Sequence, residues 1–119
     1  MARVQIPVTD FVRAGVSPPA QTDGDAVNKH YIAGNDGQIV IEVASSDAGA
    51  QTVTVKANPD LDTDGLIVSD LVLSVPAGQT KWFGPFKVQT FKQNTNKDMY
   101  LDPSVSTTLK FRAYRLVRA

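Results

Sequence analysis

Apolar residues recur along this chain mostly at every second position, in short runs separated by Gly, Pro, Asp and Ser. Val4, Ile6 and Val8 share one parity and Pro7 takes the other. Residues 1–14 therefore read as an extended N-terminal arm or an edge strand, because proline has no N–H to give to a central ladder. Residues 15–37 hold Ser17-Pro18-Pro19, Asp23-Gly24-Asp25 and Asn35-Asp36-Gly37, and only 27–32 interrupts these turn signals. They read as a long loop, and a loop of that length in a small domain is usually functional or mobile.

From residue 38 the alternation is regular. Residues 38–45 and 52–57 read as strands, with 46–51 as a hairpin connection. Residues 66–75 put Leu71, Leu73 and Val75 on one face, and Pro76-Ala77-Gly78 ends that run in a turn. Residues 80–91 carry Trp82, Phe83, Phe86, Val88 and Phe91, interrupted by Gly84-Pro85. A short strand follows at 97–101, and the longest at 107–117 faces Leu109, Phe111 and Ala113 one way. About seven strands at this spacing predict an all-β fold, a single antiparallel β-sandwich with body 38–119. No repeat or linker divides the chain, so one domain is expected.

Composition sharpens this picture. The 119 residues hold eleven Asp but one Glu, Glu42, which favours turns over amphipathic helices. A chain of this length buries about two-thirds of its unfolded surface and needs no metal or disulfide to fold. With no cysteine, thiol catalysis, Cys-ligated zinc and CxxC redox chemistry are out. No apolar run exceeds three residues, so neither a helical membrane span nor a secretory leader is expected. The zero net charge is a sum of unlike halves. Residues 1–79 hold four basic and ten acidic residues, and 80–119 hold eight and two. This becomes a dipolar surface only if the last strands share one face.

Candidate chemistry is sparse. Asp60, Asp62 and Asp64 before Gly65 match the first half of a calcium loop, but Leu71 stands where a bidentate Glu would close it. The plainer reading is a solvated Asp-rich turn, so no metal is expected. His30 is the only histidine and has no partner at a testable spacing, and no carboxylate pair sits in an apolar setting. No enzymatic activity and no cofactor are expected. Lys110, Arg112 and Arg118, with Lys81, Lys87, Lys92 and Lys97, could form a basic strip for nucleic acid. Overall neutrality favours a solvated strand face with edge charges instead. The aromatic run Trp82–Phe86 reads as core in preference to a sugar platform.

The stretch Asp64 to Phe86 contains Val75-Pro76-Ala77-Gly78, then Gln79-Thr80-Lys81, then Trp82-Phe83-Gly84-Pro85-Phe86, and Tyr100-Leu101-Asp102 follows. It resembles a family of small β proteins of tailed phages and prophages, several of them similar to head decoration (cement) proteins. The resemblance covers roughly a third of the chain. It implies a virion structural protein on the capsid surface, assembled in the host cytoplasm. Its partner would be the major capsid protein, with self-association as monomer or trimer open and no membrane or direct nucleic-acid contact. Pro76, Gly78, Trp82, Gly84, Pro85 and Phe86 are assigned to the fold. Capsid contacts are expected from Arg3, Val4, Ile6 and Phe11 of the arm and from Pro18, Pro19, His30 and Tyr31 of the loop, since an extended arm can add a strand to a neighbour's sheet. Two other readings stay open. One is a tail or head–tail connection component, the other a carbohydrate-binding host-attachment module.

Overall fold

A computed structural model describes residues 2–59, 62–63, 66–67, 69–93 and 96–116, with the backbone alone at 62–63 and 66–67. The strands are β1 (Val4–Gln5), β2 (Val8–Phe11), β3 (Thr22–Asp23), β4 (His30–Ile32), β5 (Ile39–Ser45), β6 (Gln51–Val55), β7 (Asp62–Thr63), β8 (Leu66–Ile67), β9 (Leu71–Val75) and β10 (Thr80–Phe83). After the single helical turn α1 (Val88–Phe91) come β11 (Met99–Pro103) and β12 (Leu109–Leu116). The fold is all-β and sandwich-like, with two mixed sheets packed together. The first sheet runs β1-β4-β11-β6-β9 and the second β10-β5-β12-β2, with β3 also on β12; β7 and β8 form a separate ribbon.

The core follows from parity. β5 turns Ile39, Ile41 and Val43 inward, β12 Leu109, Phe111 and Ala113, β6 Val53 and Val55, and β11 Met99 and Leu101, all fully buried. Each alternate residue faces out, as period-two patterning dictates. Leu73 and Val75 of β9 are buried as expected, but Leu71 is exposed.

Three expectations change. Residues 46–50 do not form a hairpin: β5 belongs to the second sheet and β6 to the first, so the connection arches over the rim of the core. Asp-Gly turn chemistry serves both connections, which is why sequence did not separate them. Asp47 accepts from the Gly49 N–H (2.9 Å) and from Thr108 Oγ1 (3.1 Å), tying the arch to the chain entering β12. Second, the aromatic run 80–91 is a strand only to Phe83 and closes with α1. Third, residues 15–37 are not one free loop, since β3 pairs antiparallel with β12 and β4 sits inside the first sheet.

The arm is extended and lies at sheet edges, but it is built into both sheets in parallel. β1 runs beside β4 (Val4 opposite His30) and β2 beside β12 (Val8 opposite Ala113). Ile6 sits between them, fully buried, donating its N–H to the Tyr31 carbonyl at 2.9 Å, and Pro7 lies where the chain changes sheet. At the opposite rim the 76–79 turn passes the chain from β9 to β10, with the Gln79 N–H on the Pro76 carbonyl (3.2 Å) and Gly78 at φ +68°. Gly84 has φ +119° and precedes a cis bond to Pro85. A Cβ there would stand 2.8 Å from the Ile39 carbonyl oxygen. Phe86 follows it into the core and meets Phe91 edge-on at 5.7 Å.

Ile6→Ala is expected to cost about 2–5 kcal/mol in chemical denaturation, the range for a fully buried aliphatic side chain. Val4→Ala, two residues away and exposed, should change stability by about 0.5 kcal/mol or less. Equal small effects would show that the arm is not part of the folded unit.

Candidate interaction surfaces

The residues expected to meet a partner divide into interior and surface. Ile6 and His30 are 0% exposed, so both belong to the fold and not to a contact surface. Arg3 is half-sequestered: its Nη1 donates to Asp102 Oδ1 (2.6 Å) and to the His30 carbonyl (3.1 Å), and its guanidinium lies 4.0 Å above the centre of the Tyr100 ring. Tyr31, opposite Tyr100, is partly exposed. Ala2, Arg3, Tyr31, Asp98 and Tyr100 line an open cleft of about 470 Å³, whose Tyr100 face Arg3 already covers. Pro18 is exposed, while the Pro19 carbonyl accepts from Arg112 Nε at 2.7 Å and pins its segment to the second sheet.

His30 is a structural junction. Its Nε2 accepts the Asp25 backbone N–H (2.9 Å), so the ring proton is assigned to Nδ1, which donates to the Val4 carbonyl (3.1 Å). The Phe111 ring packs 5.0 Å away. Burial holds the imidazole below its ordinary pKa, against opposing contributions from the Val4 bond and the Asp25 carboxylate. Asp25 accepts the Val27 and Asn28 N–H groups (3.0 and 2.9 Å), bonds that keep its carboxyl below the usual range.

Of the predicted contact residues, Phe11 stands exposed on the surface, and its neighbours were not foreseen. On the outer face of the second sheet, Trp82 is 54% and Phe11 46% exposed. Between them lies Tyr114, only 3% exposed, tilted against Trp82 at 5.3 Å and meeting Phe11 edge-on at 6.1 Å. Leu116, opposite Phe11, extends the patch. Trp82 is therefore a surface residue and not the core aromatic that its motif suggested. A parity signal existed: with Leu109, Phe111 and Ala113 inward, Tyr114 and Leu116 face outward. The β10–β5–β12 register that brings Trp82 to Tyr114 left no local trace.

The charge halves interleave. Arg112 of β12 meets Glu42 of β5 at 2.8 Å, Lys110 meets Asp23, and Arg115 meets Asp36 (3.0 Å) and Asp10 (3.5 Å). Arg3 and Lys29 of the acidic half in turn meet Asp102 of the basic half (2.6 and 3.6 Å). Lys110 and Arg112 thus lie on one outward face as expected, but each stands beside a carboxylate, so β12 presents no row of unpaired cations to phosphates. Arg118 and the side chains of Asp60, Asp62 and Asp64 lie outside the described residues. Among the described residues, no group of three His, Asp or Glu side chains could hold a metal ion, and no helix is long and apolar enough to cross a membrane.

No protein-family model, curated protein or solved structure matches this chain.

Arg112→Met is expected to cost about 3 kcal/mol, because Glu42 then stays nearly buried without its counter-charge and the Pro19 carbonyl loses its donor. Lys110→Met, which breaks an exposed pair, should cost about 1 kcal/mol or less. Urea denaturation of both variants checks the contrast.

Proposed function

We propose that this chain is a virion structural protein, a head decoration protein that binds the outer surface of a tailed-phage capsid and stabilises the assembled shell. The observation that carries this reading is the outer face of the second sheet. There Trp82 and Phe11 stand exposed, braced by the buried Tyr114 and flanked by Leu116, on a sheet whose other face already walls the core. Rigid, half-exposed aromatic side chains are the residues that dominate protein–protein binding energy, because they bury much area at little entropic cost.

The Val-Pro-Ala-Gly and Phe-Gly-Pro-Phe resemblance supplies the partner, the major capsid protein. In this reading the chain performs no chemistry, carries no cofactor and touches neither membrane nor nucleic acid directly, and the paired cations of β12 support the last point. Of the arm, Phe11 stays in the contact surface, which shifts onto the aromatic face because Ile6 and His30 are internal. A ligand that binds only the assembled lattice lowers that state's free energy, so a decorated head melts at a higher temperature.

A second reading draws on the same residue. An exposed Trp82 tilted on Tyr114 also suits the face of a sugar ring, as in a carbohydrate-binding host-attachment module.

Co-sedimentation with mature, undecorated heads tests the proposal. Saturable binding with a rise in head melting temperature is expected. Trp82→Ala should weaken it about tenfold or more while changing the free protein's stability by only about 1 kcal/mol. Absence of binding by the unaltered protein overturns the decoration role. Retention on immobilised neutral glycans that is lost in Trp82→Ala would establish the second reading instead.

A further inference from the structure

The ring of His30 lies between two walls of unequal strength. On one side is the 24–29 turn, held on every flank. The Gly24 N–H donates to the Leu109 carbonyl (2.7 Å), the Thr107 N–H to the Gly24 carbonyl (3.0 Å), the Ala26 N–H to Ser106 Oγ (2.8 Å) and the Lys29 N–H to the Asp25 carbonyl (2.8 Å). The Asp25 carboxylate caps the turn from within. On the other side is β1, an edge strand of two exposed residues. Besides its bond to the ring, the arm is tied to β4 and its approach by the Val4 N–H on the Lys29 carbonyl and the Ile6 N–H on the Tyr31 carbonyl (both 2.9 Å), and by Arg3.

We propose that His30 is an acid-sensitive latch that holds the N-terminal segment Arg3–Ile6 onto β4 at neutral pH and releases it when the ring takes up a second proton. Protonation puts an N–H on Nε2, the atom that now accepts the Asp25 N–H, so donor faces donor at 2.9 Å. It also places a cation in a fully buried site. Among the described residues, the charged groups acting on that site come from the turn, from β11 and from the arm. The Asp25 carboxylate from the turn and Asp102 from β11 favour the cation, whereas Arg3 from the arm opposes it. The packed element from β12 is the uncharged ring of Phe111. Asp102 is already engaged by Arg3 and Lys29, and the Asp25 oxygens by the turn's own N–H groups. Hydrating the ring requires one wall to open, and the weaker wall is the arm. Lifting it removes the opposing Arg3, frees the edge of β4 and uncovers the Ile6 site. The opening takes Ile6 out of the core, so protonation raises the population of the lifted arm without making it the dominant state, while the pairing of the inner strands is kept.

The sign of the pH dependence follows from linkage. The released ring titrates near the free value of about 6.5, and the latched ring titrates lower. The latched state is therefore fully favoured above that value and loses ground as pH falls below it. His30 is the only histidine, so it is the one side chain with an ordinary pKa between pH 5 and 7.

Amide hydrogen exchange followed by NMR on the whole chain tests the latch, without reference to any capsid. Between pH 7 and pH 5 the protection factors of the Val4 and Ile6 amides are expected to fall about tenfold. The ceiling is about 25-fold, set by a free imidazole near 6.5. Those of Val53 and Phe111 should stay unchanged, and the His30 ring resonances should titrate below the free value. Arm protection that is flat across this range overturns the latch, and so does a parallel loss at Val53 and Phe111, which would mark global unfolding. His30→Gln provides a second check where it folds: a pH-independent arm supports the latch, and an unaltered pH response overturns it.

Discussion

In this sandwich the chain crosses from one sheet to the other at almost every connection, so nearly every strand finds its hydrogen-bond partners far along the sequence. β12 is paired by β5 and by β2 and β3, β11 by β4 and β6, and β1 by β4. Such a sheet cannot form piecemeal from hairpins, and neither inner face is covered until the other sheet is in place. The N-terminal segment depends on this constraint most directly. Its seven residues from Val4 to Asp10 reach both sheets, and Ile6 is the side chain left between them.

The same crossing disperses the charge. A chain acidic in its first two-thirds and basic in its last third would present two opposed lobes if the halves folded apart. Because β12 lies between β5 and the β2–β3 edge, its Lys110, Arg112 and Arg115 are set beside Asp23, Glu42, Asp10 and Asp36. The contribution is uneven: Arg112–Glu42 is largely desolvated and costly to break, whereas Lys110–Asp23 sits in water and contributes little.

Two regions of the surface are then left with distinct physical characters. The outer face of the second sheet carries a stiff aromatic patch beside its ion pairs, since Tyr114 is wedged between Trp82 and Phe11 and packs against both rings. The arm edge of the first sheet is polar and two residues wide, with a buried imidazole whose two nitrogens join the arm to a well-anchored turn. A rigid aromatic face suits recognition at constant affinity. A short edge strand over a titratable ring suits a response to conditions.

Sequence alone determined the fold class, the approximate strands from residue 38 onward and the shared parity of the apolar residues in β6 and β12, because a two-residue period is a local property of strand geometry. It also identified Gly78 and Gly84 as structural, since positive φ and close backbone approach leave their mark in residue type. Which strands pair, that 46–50 is an arch, that the arm enters both sheets in parallel and that His30 and Ile6 are interior were decided by tertiary structure. Each depends on what stands opposite a residue, and partners dozens of positions away leave no trace in the local pattern. Trp82 shows the limit most plainly: its motif marked it as a core aromatic, and only the register of β10, β5 and β12 turned it outward onto Tyr114.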